Sequence, residues 1–501
     1  MLFNEQVFLF IFLPVVFFLL SLLKRFSKQN DWSLVLVVVC SFFFYGFQNW
    51  FHLPLLLGSI CFNYSLGILI LKVSSKTRQE ICLAFGILIN LSVLGIFKYI
   101  NFFLETVGII SVLNVALPLA ISFFTFQQIA YLVDLKRGLL HRPSFLHYSF
   151  FVSFFPQLIA GPIVRAQDIL PQLRNKILGS TTNEQFWAGV CLFSIGLFKK
   201  TCLADGIRPL AVAVFSFSDH SIILSITEAW IGLLAFGLQI YFDFSAYSDM
   251  AIGLGLLFGL QLPINFNSPY KATSIIDFWR RWHITLSEFL RDYLYKPLGG
   301  NRSGIMKAML NVMIVMSLGG LWHGAGWTFV IWGVFHGVLI SLNHLFRAWG
   351  KLNYSNFKIP RLFCNRTLSW IFTFILISVS WVFFRSENLN EAFQIIASLL
   401  GLNGIDLPRF FNFSNQFTFF SYEGALPNKV IDRELIPLLV VLLGIVRFFP
   451  NTIQLVGISS ESEKEKKSLP SWLIGFCGLL LFLGVKTSFE NITHEFIYFR
   501  F

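Results

Sequence analysis

Charge is scarce in this chain. Asp, Glu, Lys and Arg make up 13% of its 501 residues, about half the density of an ordinary soluble domain. So few charges do not coat a water-soluble protein of this size. Wholesale disorder is excluded as well, because disordered chains are poor in aromatics, and 17% of these residues are Phe, Trp or Tyr, with Phe alone numbering 61. Cysteine is sparse. The seven residues are odd in number, contain no CxxC and mostly sit inside apolar runs. A buried thiol there behaves as a small hydrophobe, and neither a disulfide framework nor a zinc site is indicated. The GxSxG, Walker A, HExxH, HxxxH and HxH patterns are all missing, which removes the usual hydrolase, nucleotide-binding and zinc-enzyme signatures.

Apolar sequence is abundant. Runs occur near 6–23, 33–48, 53–71, 81–97, 115–133, 147–164, 185–204, 226–242, 246–263, 307–321, 327–346, 368–384, 434–449 and 471–486. A span needs about 20 apolar residues, so the sequence predicts an all-α polytopic membrane protein with about 11 to 13 spanning or re-entrant helices. Asn4 and Glu5 precede the first run, with no basic stretch before it and no small-residue cleavage site after it, so it is expected to be an uncleaved span. The net charge of +12 lies in short clusters between apolar runs, which points to a lipid bilayer and not to nucleic acid. Lys24, Arg25 and Lys28 mark the first loop and Lys72, Lys76 and Arg78 the third, while 49–52 carries no Lys or Arg. The positive-inside rule then puts the N-terminus outside. Residues 351–366, 404–434 and 459–469 are polar enough to be loops, the second a long one within a single domain covering 1–501.

Polar residues between 241 and 336 lie where lipid rejects them. Tyr241-Phe-Asp-Phe-Ser-Ala-Tyr-Ser-Asp-Met250 places Asp243, Tyr247 and Asp249 between two apolar runs. They either bind substrate and orient a base, or cap a helix across a turn. In Asp277-Phe-Trp-Arg-Arg-Trp-His283 and the residues after it, a continuous helix aligns Arg280, His283, Ser287 and Arg291 on one stripe flanked by Trp279 and Trp282. That stripe either anchors an interfacial helix or lines a polar cavity where arginines grip a phosphate-bearing carrier. Gly319-Gly-Leu-Trp-His-Gly-Ala-Gly-Trp327 surrounds His323 with four glycines. An imidazole titrating near neutrality suits a general base, and the glycine-rich amides would serve an oxyanion. His336 is open between a structural and a functional role, and His344 is expected to be structural.

These blocks resemble the membrane-bound O-acyltransferase (MBOAT) superfamily, in particular its bacterial alginate O-acetyltransferase branch. The likeness is carried by Pro118-Leu-Ala-Ile-Ser-Phe-Phe-Thr-Phe-Gln-Gln128, which includes Gln127, and by Phe154-Phe-Pro-Gln-Leu-Ile-Ala-Gly-Pro-Ile-Val-Arg165. Asp243-Phe-Ser-Ala-Tyr-Ser-Asp249, the Asp277–His283 block, Leu321-Trp-His-Gly324 and the closing Phe496-Ile-Tyr-Phe-Arg-Phe501 follow in the family's order. Ala120 stands where glycine is usual, Phe124 where tyrosine is, and Ala246 where glycine is common. The resemblance implies a ring of tilted helices, His323 as the catalytic histidine and His283 as its companion. It also implies a tunnel to which Trp322, Gln127, His336 and the polar residues above contribute. No bound cofactor is expected. The implied acyl donor is acetyl-CoA or another acyl thioester, and the implied partner is a periplasmic acetyltransferase of a polysaccharide-modifying machine in a bacterial inner membrane. D-alanyl transfer from a carrier protein and a non-enzymatic transporter or flippase are the competing readings.

Overall fold

The computed structural model describes residues 1–26, 30–109, 116–159, 161–175, 178–215, 224–352, 365–403, 435–458, 469–490 and 496–497. The polar loop at 404–434, most of 351–366 and 459–469, and the last four residues of the closing motif therefore lie outside the described residues. Every regular element among those described is a helix. Among the described residues nine helices are long and apolar enough to cross a membrane, and Asp31–Gly46 and Leu435–Phe448 are shorter apolar helices. The run at 147–164 folds as two short buried helices, Phe145–Ser153 and Phe155–Leu158, and is not among the nine.

The chain divides into two compact units. The first comprises 1–201, 244–265 and 452–500, and the second 202–243 and 266–451. In the first, much of the phenylalanine is core. Phe3, Phe8, Phe44 and Phe155 are fully buried, with the Phe3–Phe8 ring centroids 4.9 Å apart and Phe44–Phe155 5.3 Å apart. Lipid gives apolar helices no hydrophobic reason to associate, so interlocked rings and internal polar bonds do that work. Asn63 and Asn90 exchange side-chain hydrogen bonds at 3.1 and 2.7 Å and so tie Leu53–Lys72 to Lys76–Leu94. Gln128 donates to Ser59 at 2.7 Å and accepts from Tyr148 at 3.0 Å.

The runs at 226–242 and 246–263 do not form a hairpin. Ile226–Leu257 is one helix, about 48 Å long at 1.5 Å per residue. No proline interrupts its polar middle, and the polar side chains there are packed inside protein, away from lipid. Asp243, Ser245, Tyr247, Ser248 and Asp249 are all buried within it, so they cap no turn. In the first unit Gly189 and Gly253 let the backbones of Asn183–Phe198 and this helix touch. A Cβ on either would lie 2.8 or 2.7 Å from the other's carbonyl oxygen. Where Asn183–Phe198 ends, a π-helical turn at Lys199–Ala204 begins, and Lys199 Nζ meets Asp249 Oδ2 at 2.8 Å.

Candidate active site

The second unit gathers the two motif histidines, and both sit at breaks in helices. Ile275–Trp279 ends before Ile284–Leu290 begins, and His283 caps the latter with φ +42°. That left-handed conformation is uncommon outside glycine, with histidine among the residues that tolerate it better. The break dismantles the continuous stripe expected over 280–291. His283 points inward and is fully buried, whereas Arg280 and Arg291 are exposed. Arg291 pairs with Asp292 through Nε and NH2, both at 2.9 Å. Arg281 Nε pairs with Asp277 at 2.8 Å. Ser287, one turn beyond His283, is half-buried, and its hydroxyl meets no hydrogen-bond partner among the described residues. His283 lies outside the nine candidate spans, and its burial pushes the imidazole pKa down to about 3. A neutral ring keeps one N–H donor and one acceptor at ordinary pH.

His323 is the last residue of Ile305–His323 and is 3% exposed. Gly319 and Gly320 belong to that helix, so their amides are spent within it and drop out of the oxyanion donors expected over 319–326. The purpose of Gly320 is packing. A Cβ on Gly320 would lie 2.2 Å from the Phe329 carbonyl oxygen, and one on Gly333 would lie 2.2 Å from that of Met316. Small residues at such a crossing let Ile305–His323 and Trp327–Leu352 meet backbone to backbone, which carries His323 to the wall of the second helix.

Aromatic rings enclose His323. Its ring centroid lies 5.0 Å from Trp322, 5.1 Å from Trp332 and 5.3 Å from Phe384. His283 is 6.5 Å away, at an interplanar angle of 57°. Trp282 is buried in a neighbouring stack, 5.6 Å from Phe278 and 5.0 Å from Trp381. His336 is fully occupied. Trp279 Nε1 donates to its Nδ1 at 3.3 Å, and its Nε2 lies 3.1 Å from Ser380 Oγ. Ser380 gives its own proton to the Ile377 carbonyl at 2.6 Å. His336 Nε2 must therefore donate and Nδ1 accept, so the ring is a buried tie between three segments and is not poised as a base.

Asp243 is buried at the edge of the second unit. Tyr247, Asp249 and Gln127 belong to the first unit. There Asp249 is engaged by Lys199, which gives the carboxylate an ion-pair role that sequence inspection missed. Tyr247 stacks on Phe3 at 4.4 Å, and Gln127 is buried in Ile121–Lys136. Also missed were Trp332, Phe384 and Ser380. Trp332 precedes His336 by one helical turn, and a serine amid apolar residues at 380 is the cue that marked the buried contact.

A family model described as MBOAT, membrane-bound O-acyltransferase family, matches residues 112–384. A peptidoglycan O-acetyltransferase of Helicobacter pylori is 39% identical, with 100% of this chain and 98% of that protein aligned. A probable alginate O-acetylase AlgI of Azotobacter vinelandii is also 39% identical, over 80% of this chain and 78% of its own. A teichoic acid D-alanyltransferase of Bacillus subtilis is 27% identical over 46% of this chain and 60% of its length.

Proposed function

The chain belongs to the membrane-bound O-acyltransferase family, and from that premise we propose that it moves an acetyl group from a cytoplasmic thioester to a hydroxyl of a cell-envelope polysaccharide. The observation that carries the proposal is the buried His283–His323 pair inside the stretch matched by the family model.

The chemistry follows from the weakness of a hydroxyl as a nucleophile. His323 accepts its proton as the oxygen attacks the thioester carbonyl, and the carbon–oxygen bond forms. The carbonyl oxygen becomes an oxyanion and takes a hydrogen bond from the neutral His283 ring. The carbon–sulfur bond then breaks, and the proton held by His323 goes to the departing thiolate. A base of this kind contributes about 10²–10⁴-fold. The indole N–H of Trp332, buried beside His323 with no acceptor among the described residues, is a second donor of the kind an oxyanion needs. The aromatic enclosure keeps water from the thioester.

The acceptor we favour is peptidoglycan, because the relative named for it aligns along the whole chain, whereas the alginate relative aligns over four-fifths. The N-terminus faces the periplasm, the protein lies in the inner membrane as one domain, and a periplasmic acetyltransferase completes delivery. Mass analysis of envelope glycans with and without the gene tests this reading. Loss of acetyl ester from peptidoglycan supports it. Loss from alginate moves the acceptor, loss of D-alanine ester overturns the acetyl assignment, and unchanged esters overturn acyl transfer.

A further inference from the structure

A second cluster in the same unit plays no part in the chemistry above. Arg447 lies over the Trp370 ring, 4.4 Å from its centroid, and Trp370 is fixed by its indole N–H donating to the Tyr270 carbonyl at 2.8 Å. The next residue, Lys271, donates from Nζ to the Phe449 carbonyl at 2.6 Å. Asn451 donates to Asn267 Oδ1 and Ser268 Oγ, both at 3.0 Å. Arg281 NH1 donates to the Asn267 carbonyl at 3.3 Å. Lys271, Arg281 and Arg447 are thereby held in one frame, on the segment that leads into His283 and at the end of Leu435–Phe448.

The frame is short of negative charge. Asp277 answers Arg281. Among the described residues no carboxylate lies within ion-pair distance of Lys271 or Arg447, whose polar and ring contacts are those just given together with the Phe448 ring. The Lys271 pKa is lowered, first by burial and then by repulsion from Arg447 and Arg281. Cations that repel one another yet are held in place by carbonyls and an aromatic face are prepared for an anion. An arginine resting on tryptophan offers a planar fork to phosphate, and a lysine adds a point charge. By the positive-inside rule this basic rim faces the cytoplasm, where phosphorylated thioesters and anionic headgroups both occur.

We propose that Lys271 and Arg447, backed by Arg281, form a phosphate-binding site, filled either by a phosphate of the acyl donor or by that of an anionic lipid headgroup. The donor source rests on the acyl-transfer reading, whereas the phosphate site does not, so the test is binding without turnover. The full-length protein is placed in nanodiscs of neutral phosphatidylcholine and titrated with coenzyme A, and in nanodiscs containing phosphatidylglycerol its retained lipid is read by native mass spectrometry. The variants are Lys271→Gln/Arg447→Gln and the charge-preserving Lys271→Arg, each checked for wild-type thermal unfolding. Losing hydrogen bonds to charged groups weakens binding by about tenfold or more.

Tenfold weaker coenzyme A binding in the Gln variant, with binding retained in the charge-preserving one, supports the site and assigns the donor as its source. Unchanged coenzyme A binding with loss of retained phosphatidylglycerol supports the site and assigns the headgroup. No change in either readout overturns the proposal. So does equal loss in both variants, because Lys271→Arg keeps the positive charge and leaves the Arg447 fork in place. If acetyl transfer fails while phosphate binding holds, only the acyl-transfer reading falls.

Discussion

The rings of His283 and His323 lie 6.5 Å apart, centroid to centroid, and each stands where a helix breaks. A reacting group placed between their edges is within hydrogen-bond reach of both. His283 reaches this position through a left-handed backbone turn, so its side chain and its backbone are separately testable. Asparagine tolerates that turn and still offers an N–H donor. His283→Asn is expected to fold and keep a measurable part of the acetyl-transfer rate. His283→Ala is expected to fold with its rate lowered by about 10²–10³. Steady-state rates of the purified variants decide between these outcomes, and equal loss in both removes the donor role.

The crossing at Gly320 and Gly333 leaves no room for a side chain. Gly320→Val is expected to destabilise by about 1–3 kcal/mol or more through overpacking and to abolish activity by displacing His323. Gly319, where a Cβ would come no closer than 3.2 Å to Leu290, is expected to tolerate Ala with little change. Thermal unfolding in detergent beside an activity assay checks both.

Asp249 and Lys199 form an ion pair with both side chains nearly buried. Removing one member takes this 2.8 Å ion pair from the other inside the protein, and breaking a buried pair in that way costs about 3–5 kcal/mol. Asp249→Asn is therefore expected to lower stability strongly, and Lys199→Met with Asp249→Leu is expected to recover most of the loss. A double-mutant cycle measured by thermal unfolding provides the check. Additive losses would show that the two residues act separately.

Ala120 adopts φ +58°, which costs a residue with a Cβ about 1–2 kcal/mol relative to the right-handed region. Ala120→Gly relieves that cost but adds unfolded-state entropy of about 0.4–1 kcal/mol. The net expectation is a small rise in the unfolding temperature, and a fall would show that the backbone turn is not what this position requires.

The same residue shows how far sequence reading reached. Glycine is usual at position 120 in the resembling family, and the left-handed turn there supplies the physical reason, which composition alone does not contain. The membrane class was legible because scarce charge and long apolar runs are properties of the whole chain. His323 stood out as a candidate because glycines and a histidine together are rare in an apolar run, and the structure buries it beside His283. The helix through Asp243 and Asp249 was not, because polar side chains mark a turn and a buried span interior equally well, and Asp249's partner, Lys199, lies far away in sequence. The stripe on 280–291 failed because periodicity assumes unbroken helix, and the break at the left-handed residue 283 leaves His283 buried while Arg280 and Arg291 are exposed. The role of the glycines before His323 was misassigned because tight helix crossing and amide donation call for the same residue.

The most direct test of the account is acetyl transfer by the full-length protein in proteoliposomes, with a labelled acetyl thioester on one side and, on the other, a peptidoglycan acceptor with the periplasmic acetyltransferase proposed to complete delivery. The wild type is expected to label the glycan, and His323→Ala, matched in expression and thermal unfolding, is expected to fall by about 10²–10⁴. A well-folded His323→Ala protein that labels the acceptor at the wild-type rate would contradict the assignment of His323 as the base.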